Sequence, residues 1–114
     1  MRVATGVAPI LPVRDLELSL GFYASLGFGT RSYQPGVGYG FVTLDDVEIH
    51  LGTTVKEFHP ASAYLFVDDA DEVARRWRAA GADVHLPEDT AWGRHEGALV
   101  DPDGNVIRFG SPLP

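Results

Sequence analysis

The chain has 114 residues, 45% of them apolar and 22% charged, with a formal net charge of −7 and no cysteine. That length is one domain's worth, expected to bury roughly two-thirds of its unfolded surface, and the missing thiol excludes disulfides, a thiolate metal site and a cysteine nucleophile. The acidic balance argues against nucleic acid and anionic membranes as partners and suits a cationic ligand; no apolar run approaches the ~20 residues of a membrane span and no signal-peptide core opens the chain, so a cytoplasmic location is expected.

In chain order, a first strand is expected over residues 7–13. Pro9 interrupts it, which places it at a sheet edge or a bulge. Asp15 is an N-cap type, Leu16, Leu20 and Tyr23 recur at helical spacing, and Gly27 can adopt the left-handed conformation that stops a helix. A Gly-rich loop over 34–40 leads to a hairpin over 40–51, GFVTL–DD–VEIHL. Residues 58–61, Phe-His-Pro-Ala, form a natural junction.

The order then repeats. Residues 13–28 (VRDLELSLGFYASLGF) overlay residues 67–82 (VDDADEVARRWRAAGA) at an offset of 54, so that Val13 meets Val67, Asp15 meets Asp69, Tyr23 meets Trp77 and Gly27 meets Gly81. A strand is expected over 63–67, then a helix with Asp69 and Glu72 as a capping box and Val73, Trp77 and Ala80 as its buried stripe. A loop over 86–93 and a hairpin over 97–109, GALV–DPDGN–VIRF, complete the copy; Asp103-Gly104 is a strong hairpin turn. The expectation is a single α+β domain over residues 1–114, with one repeat at about 5–55 and the other at about 60–112.

Strand alternation sorts side chains onto two faces. Val47, Ile49 and Leu51 should pack under a helix, leaving Glu48 and His50 on the opposite, concave side. Ala63, Leu65 and Val67 should face the helix, leaving Ser62, Tyr64 and Phe66 opposite. Arg108 shares a side with Val106, against Ile107 and Phe109. Large aromatics beside polar groups, on a face with no helix of its own to cover it, point to a ligand cleft or a subunit interface.

The doubled βαβββ order, V-x-D before each helix, LGF after the first and AGA after the second, and D-P-D-G-N in the last hairpin together resemble the vicinal oxygen chelate superfamily. That group includes glyoxalase I, extradiol dioxygenases, fosfomycin-modifying enzymes and bleomycin resistance proteins. The resemblance implies two curved mixed sheets with helices on the convex side. It also implies that the metal enzymes' ligand positions fall on Ala8, His50, Ser62 and Arg108. A divalent ion needs two or three side-chain lone-pair ligands, and Arg is a permanent cation. These positions therefore favour a binding protein without cofactor or catalytic residue over a metal-dependent glyoxalase or dioxygenase, which remains the alternative.

The resistance proteins are especially similar in V-A-P-I-L-P-V-R-D, A-W-G-R and D-P-D-G-N-V-I-R-F. That likeness implies a homodimer sequestering a planar or cationic antibiotic, such as bleomycin or its metal complex. Aromatic positions that stack on the drug fall on Tyr33, Tyr39, Tyr64 and Trp92, and Glu48 could pair with its charge. His50, Ser62, Phe66 and Arg108 complete the expected ligand set. The resemblance also makes Pro9 a candidate hinge for exchange of the N-terminal strand. There are departures: shorter loops around 34–38 and 56–61, and Arg108 where the resistance proteins carry His. Two further tryptophan and arginine roles are read from position: Trp77 as core, and Arg94 as a structural partner of Asp101 or Glu96. Trp92 is either a buried loop anchor or a stacking lid.

Overall fold

Two Asp residues 54 positions apart start the two helices in the same way. The Asp15 carboxylate accepts the Leu18 N–H at 3.1 Å and the Asp69 carboxylate accepts the Glu72 N–H at 3.1 Å, each satisfying a donor that the first helical turn leaves unpaired. Helix α1 spans Leu16–Ser25 and α2 spans Ala70–Ala79, so both boundaries repeat at that same offset. Gly27 and Gly81 follow with φ of +97° and +90°, the left-handed geometry that glycine adopts without Cβ strain. The predicted capping box is half formed, because Glu72 turns its carboxylate to Arg75 and Arg76 instead.

In the computed structural model, which describes residues 1–53 and 56–113, the chain forms two compact units, Met1–Phe58 and His59–Pro114. The division falls within the predicted junction; the end of the first repeat, expected near residue 55, lies outside the described residues. In the first unit β1 (Ile10–Val13), β2 (Gly29–Ser32), β3 (Tyr39–Leu44) and β4 (Val47–Thr53) form a sheet of order β1-β4-β3-β2. In the second, β5 (Ser62–Phe66), β6 (Asp83–Asp89), β7 (Arg94–Val100) and β8 (Val106–Pro112) repeat it as β5-β8-β7-β6. In each sheet the first strand runs parallel to the last and the other pairings are antiparallel. The fold is α+β, with two mixed four-stranded sheets and two helices, as expected.

Each helix packs on its own sheet. Tyr23 is fully buried and edge-on to Phe28 at 5.3 Å, and Val42, Ile49 and Leu51 of the same unit are buried with it. Trp77 is 4% exposed and meets Phe109 edge-on at 5.2 Å. Two stripe assignments change. Leu16 is only half-buried, and α2 buries Ala70, Ala74 and Trp77 while Val73 is half-buried and Ala80 is exposed. The stripe beginning at Ala70 keeps Trp77 inward while its arginines remain outside.

Three boundaries also change. The first strand starts at Ile10, not residue 7; it does occupy a sheet edge, and the Pro9 carbonyl accepts the His50 N–H at 2.9 Å. The stretch 86–93 is not a loop throughout, because β6 runs to Asp89 with a register shift between His85 and Glu88. The loop expected over 34–40 ends earlier, since Tyr39 and Gly40 already pair in β3. Neither helix is long and apolar enough to cross a membrane among the described residues.

The D-P-D-G-N turn is a structural clasp. Asp101 accepts the backbone N–H groups of Asp103 (2.9 Å) and Asn105 (2.8 Å) and the Asn105 side-chain amide (2.9 Å), and Asn105 in turn accepts the Ala61 N–H at 2.8 Å. All three turn residues are buried. The turn thereby ties the last hairpin to the start of β5, one residue before Ser62.

Candidate functional site

In the first unit the face turned away from α1 is built on one cross-strand row. Strand register sets Ile10 beside His50, His50 beside Phe41 and Phe41 beside Arg31. His50 is the centre of the group. Its Nδ1 lies 2.9 Å from the Tyr39 hydroxyl and its Nε2 lies 3.1 Å from a Glu48 carboxylate oxygen. Phe41 meets the imidazole edge-on at 4.8 Å, Tyr33 stands edge-on to Phe41 at 6.4 Å, and the Arg31 guanidinium covers the Phe41 ring at 4.0 Å. The structure thus brings together Tyr33, Tyr39, Glu48 and His50 of the expected set. Phe41 and Arg31 belong with them. Alternation in YGFVTL already placed Phe41 on the side of Tyr39; Arg31 lay in a strand without apolar alternation and carried no such signal.

In the second unit β5 alternates as expected, with Leu65 buried and Ser62, Tyr64 and Phe66 exposed. Tyr64 and Phe66 lie 5.0 Å apart, and Phe66 is 75% exposed. Tyr64 lies across Gly110, where a Cβ would overlap its hydroxyl; the glycine makes room for the ring. Arg108 is opposite Tyr64 in register and opposite Ala98 on the other side. Trp92 stands at the turn between β6 and β7, held by the Thr90 hydroxyl and the Arg94 N–H and carbonyl. At 68% exposure Trp92 is not a buried anchor.

One residue that sequence reasoning passed over joins these groups. A Glu96 carboxylate oxygen accepts the Trp92 indole N–H at 3.3 Å, and its other oxygen lies 3.5 Å from the Arg108 guanidinium. Alternation along RHEGALV places Glu96 on the side of Ala98, beside Arg108, so the signal was present. Arg94 is structural but has other partners than expected. It donates to the Gly110 carbonyl at 2.6 Å and lies 5.2 Å from the Phe66 ring, not on Asp101 or Glu96. An open groove of about 680 Å³ runs along this face, lined by His85, Glu88, Trp92, Glu96, Val106 and Arg108 among others.

The donor set at the four positions that the resemblance assigns to metal ligands does not fit a divalent cation. Ala8 has no donor atom and Arg108 is a permanent cation bound to Glu96. Both ring nitrogens of His50 are engaged, leaving one neutral hydroxyl at Ser62. No group of three or more His, Asp or Glu suited to a metal ion occurs among the described residues.

The remaining histidine cluster is structural. His95 Nδ1 is 2.8 Å from Asp89 of β6 and its Nε2 is 2.8 Å from Asp71 of α2. These two hydrogen bonds, Asp71 foremost, raise its pKa above the ordinary 6.5.

The profile of the Glyoxalase/Bleomycin resistance protein/Dioxygenase superfamily matches residues 5–109. A bleomycin resistance protein of Klebsiella pneumoniae is 31% identical, covering 89% of this chain and 87% of its own. Among solved structures, a bleomycin resistance determinant encoded on transposon Tn5 is similar with a TM-score of 0.84 at 27% identity, covering 97% of this chain and all of its own. A bleomycin-binding protein complexed with bleomycin is similar with a TM-score of 0.80 at 26% identity, covering 96% and 100%. On the match across its two repeats, the chain belongs to the Glyoxalase/Bleomycin resistance protein/Dioxygenase superfamily.

Proposed function

We propose that this protein binds and sequesters a planar, cationic antibiotic of the bleomycin type without chemically altering it, and so confers resistance. The observation that carries the reading is the aromatic face of the second unit. Phe66 stands 75% exposed beside Tyr64, and Trp92 stands 68% exposed at the β6–β7 turn, presenting flat apolar surface to solvent at a cost that a stacked heteroaromatic ligand would relieve. The likeness to resistance and binding proteins supports the same reading, as do the net charge of −7 and the poor fit of Ala8, His50, Ser62 and Arg108 to a divalent cation. Tyr33, Tyr39, Glu48 and His50 in one unit and Ser62, Tyr64, Phe66, Trp92 and Arg108 in the other are the proposed ligand contacts of a cytoplasmic domain that spans residues 1–114.

A homodimer belongs to this reading, since a two-fold pairing covers an exposed apolar face with one self-complementary surface. The expected mass is about 25 kDa, twice the 12.3 kDa chain, with two ligands per dimer. Titration of intrinsic fluorescence with bleomycin tests the binding, and light scattering of the same samples tests the assembly. Saturable quenching is expected, with Trp92→Ala weakening binding by ~1–3 kcal/mol, the scale of one aromatic stack. Absence of saturable binding, or stoichiometric change of the antibiotic into a product, would sink the sequestration reading.

A further inference from the structure

We propose that Glu96 is the positioning residue of this face: it orients the Trp92 indole and balances the charge of Arg108, so that a cationic ligand can approach a surface that carries an arginine. The inference rests on the binding role proposed above. Its observations are geometric. The Glu96 side chain is only 8% exposed, and a carboxylate buried that far must be paired. It has two partners, and both are proposed ligand contacts. One oxygen takes the Trp92 indole N–H at 3.3 Å and the other faces the Arg108 guanidinium at 3.5 Å.

The strand register explains how one carboxylate serves both. Glu96 pairs with Gly110 on β8 and Glu88 on β6. It therefore sits between the edge that leads into the Trp92 turn and the strand that carries Arg108. Trp92 is itself 68% exposed, so little packing fixes its ring. The Glu96 carboxylate tethers the ring through its indole N–H, and a tethered ring loses less freedom when a ligand stacks on it. Arg108 alone would repel a cation. With Glu96 beneath it the pair is neutral, and Glu88 leaves the groove acidic.

The test separates tethering from charge balance. The chain has two tryptophans, so two indole N–H resonances are expected by NMR, with Trp77 as the buried internal control. Glu96→Ala is expected to move the Trp92 resonance to that of a water-exposed indole, leave Trp77 in place, and weaken bleomycin binding about tenfold. Glu96→Gln keeps an acceptor for the indole and removes the charge. It is expected to hold the Trp92 resonance near its original position yet still weaken bleomycin, and the loss relative to the unmodified protein should shrink as salt screens the uncovered Arg108 charge. A purely structural glutamate would give a loss that does not depend on salt. An unmoved Trp92 resonance in Glu96→Ala, or a Glu96→Gln loss that is the same at low and high salt, overturns the proposal. Should the unmodified protein fail to bind bleomycin, the proposed function fails by itself, and the resonance of Glu96→Ala still decides whether Glu96 holds the indole.

Discussion

In the Met1–Phe58 unit the side chains on the face away from the helix hold one another. Tyr39 and Glu48 grip the two nitrogens of His50, and Phe41 lies edge-on beneath the imidazole. In the His59–Pro114 unit the corresponding face leaves Phe66 and Trp92 in solvent, with a single carboxylate joining Trp92 to Arg108. The strand order and the capped helix are the same in both. The core-facing residues of each strand dictate the architecture, and the alternate residues on the same strands are free to carry different chemistry. Even the spacing is shared. Gly52 lies two residues after His50 and Gly110 two after Arg108, each with a tyrosine ring lying against it, Tyr39 in one unit and Tyr64 in the other.

The largest expected effect tests whether the two cores are equivalent. Trp77→Ala and Tyr23→Ala each remove the aromatic that joins a helix to its sheet, and each should lower the unfolding free energy by ~3–5 kcal/mol in urea denaturation. If one of the two proves nearly silent, the units do not share a packing plan.

A smaller pair of changes sharpens the contrast between faces. His50→Ala should destabilise by about 1 kcal/mol, because it strips the Tyr39 hydroxyl of its partner in a half-buried setting. Phe66→Ala, at a residue 75% exposed, should leave the unfolding free energy within ~0.5 kcal/mol of the original while reducing bleomycin affinity. Equal destabilisation by both would mean that the second face is as structurally committed as the first.

The smallest effect concerns His95, between Asp71 and Asp89. Its pKa is raised in the folded protein, so the folded state binds the proton more tightly than the unfolded state. The stabilisation is complete below the ordinary value of 6.5 and disappears as pH rises through the raised one,. Asp71→Asn should bring the His95 pKa, followed by NMR titration, down toward 6.5. It should also flatten the decline in stability as pH rises above 6.5,. A His95 titration unchanged by Asp71→Asn would remove Asp71 as the principal cause.

Local chemistry was enough to read the helices, their caps and the two tight hairpins, because each is specified within a few residues: an Asp at the N-cap, a glycine at positive φ, Asp45-Asp46 and Asp101–Asn105 in the turns. Strand alternation likewise sorted His50, Tyr64, Phe66 and Arg108 onto the correct faces, since a period of two needs no tertiary information. The βαβββ order implied a strand after each helix, but no residue pattern bounded β2 or β6. All four residues of β2 are exposed, and β6 carries a proline at its register shift, so neither shows the apolar alternation that marks a half-buried strand; only pairing with β3 and β7 makes them strands. The rotation of α2 that buries Ala70 and Ala74 rather than Val73 and Ala80 was likewise set by packing on the sheet. So was the role of Glu96, whose partners are four residues away around a turn and twelve away across a hairpin. A carboxylate's neighbours across strands depend on register, and register is decided by the sheet as a whole.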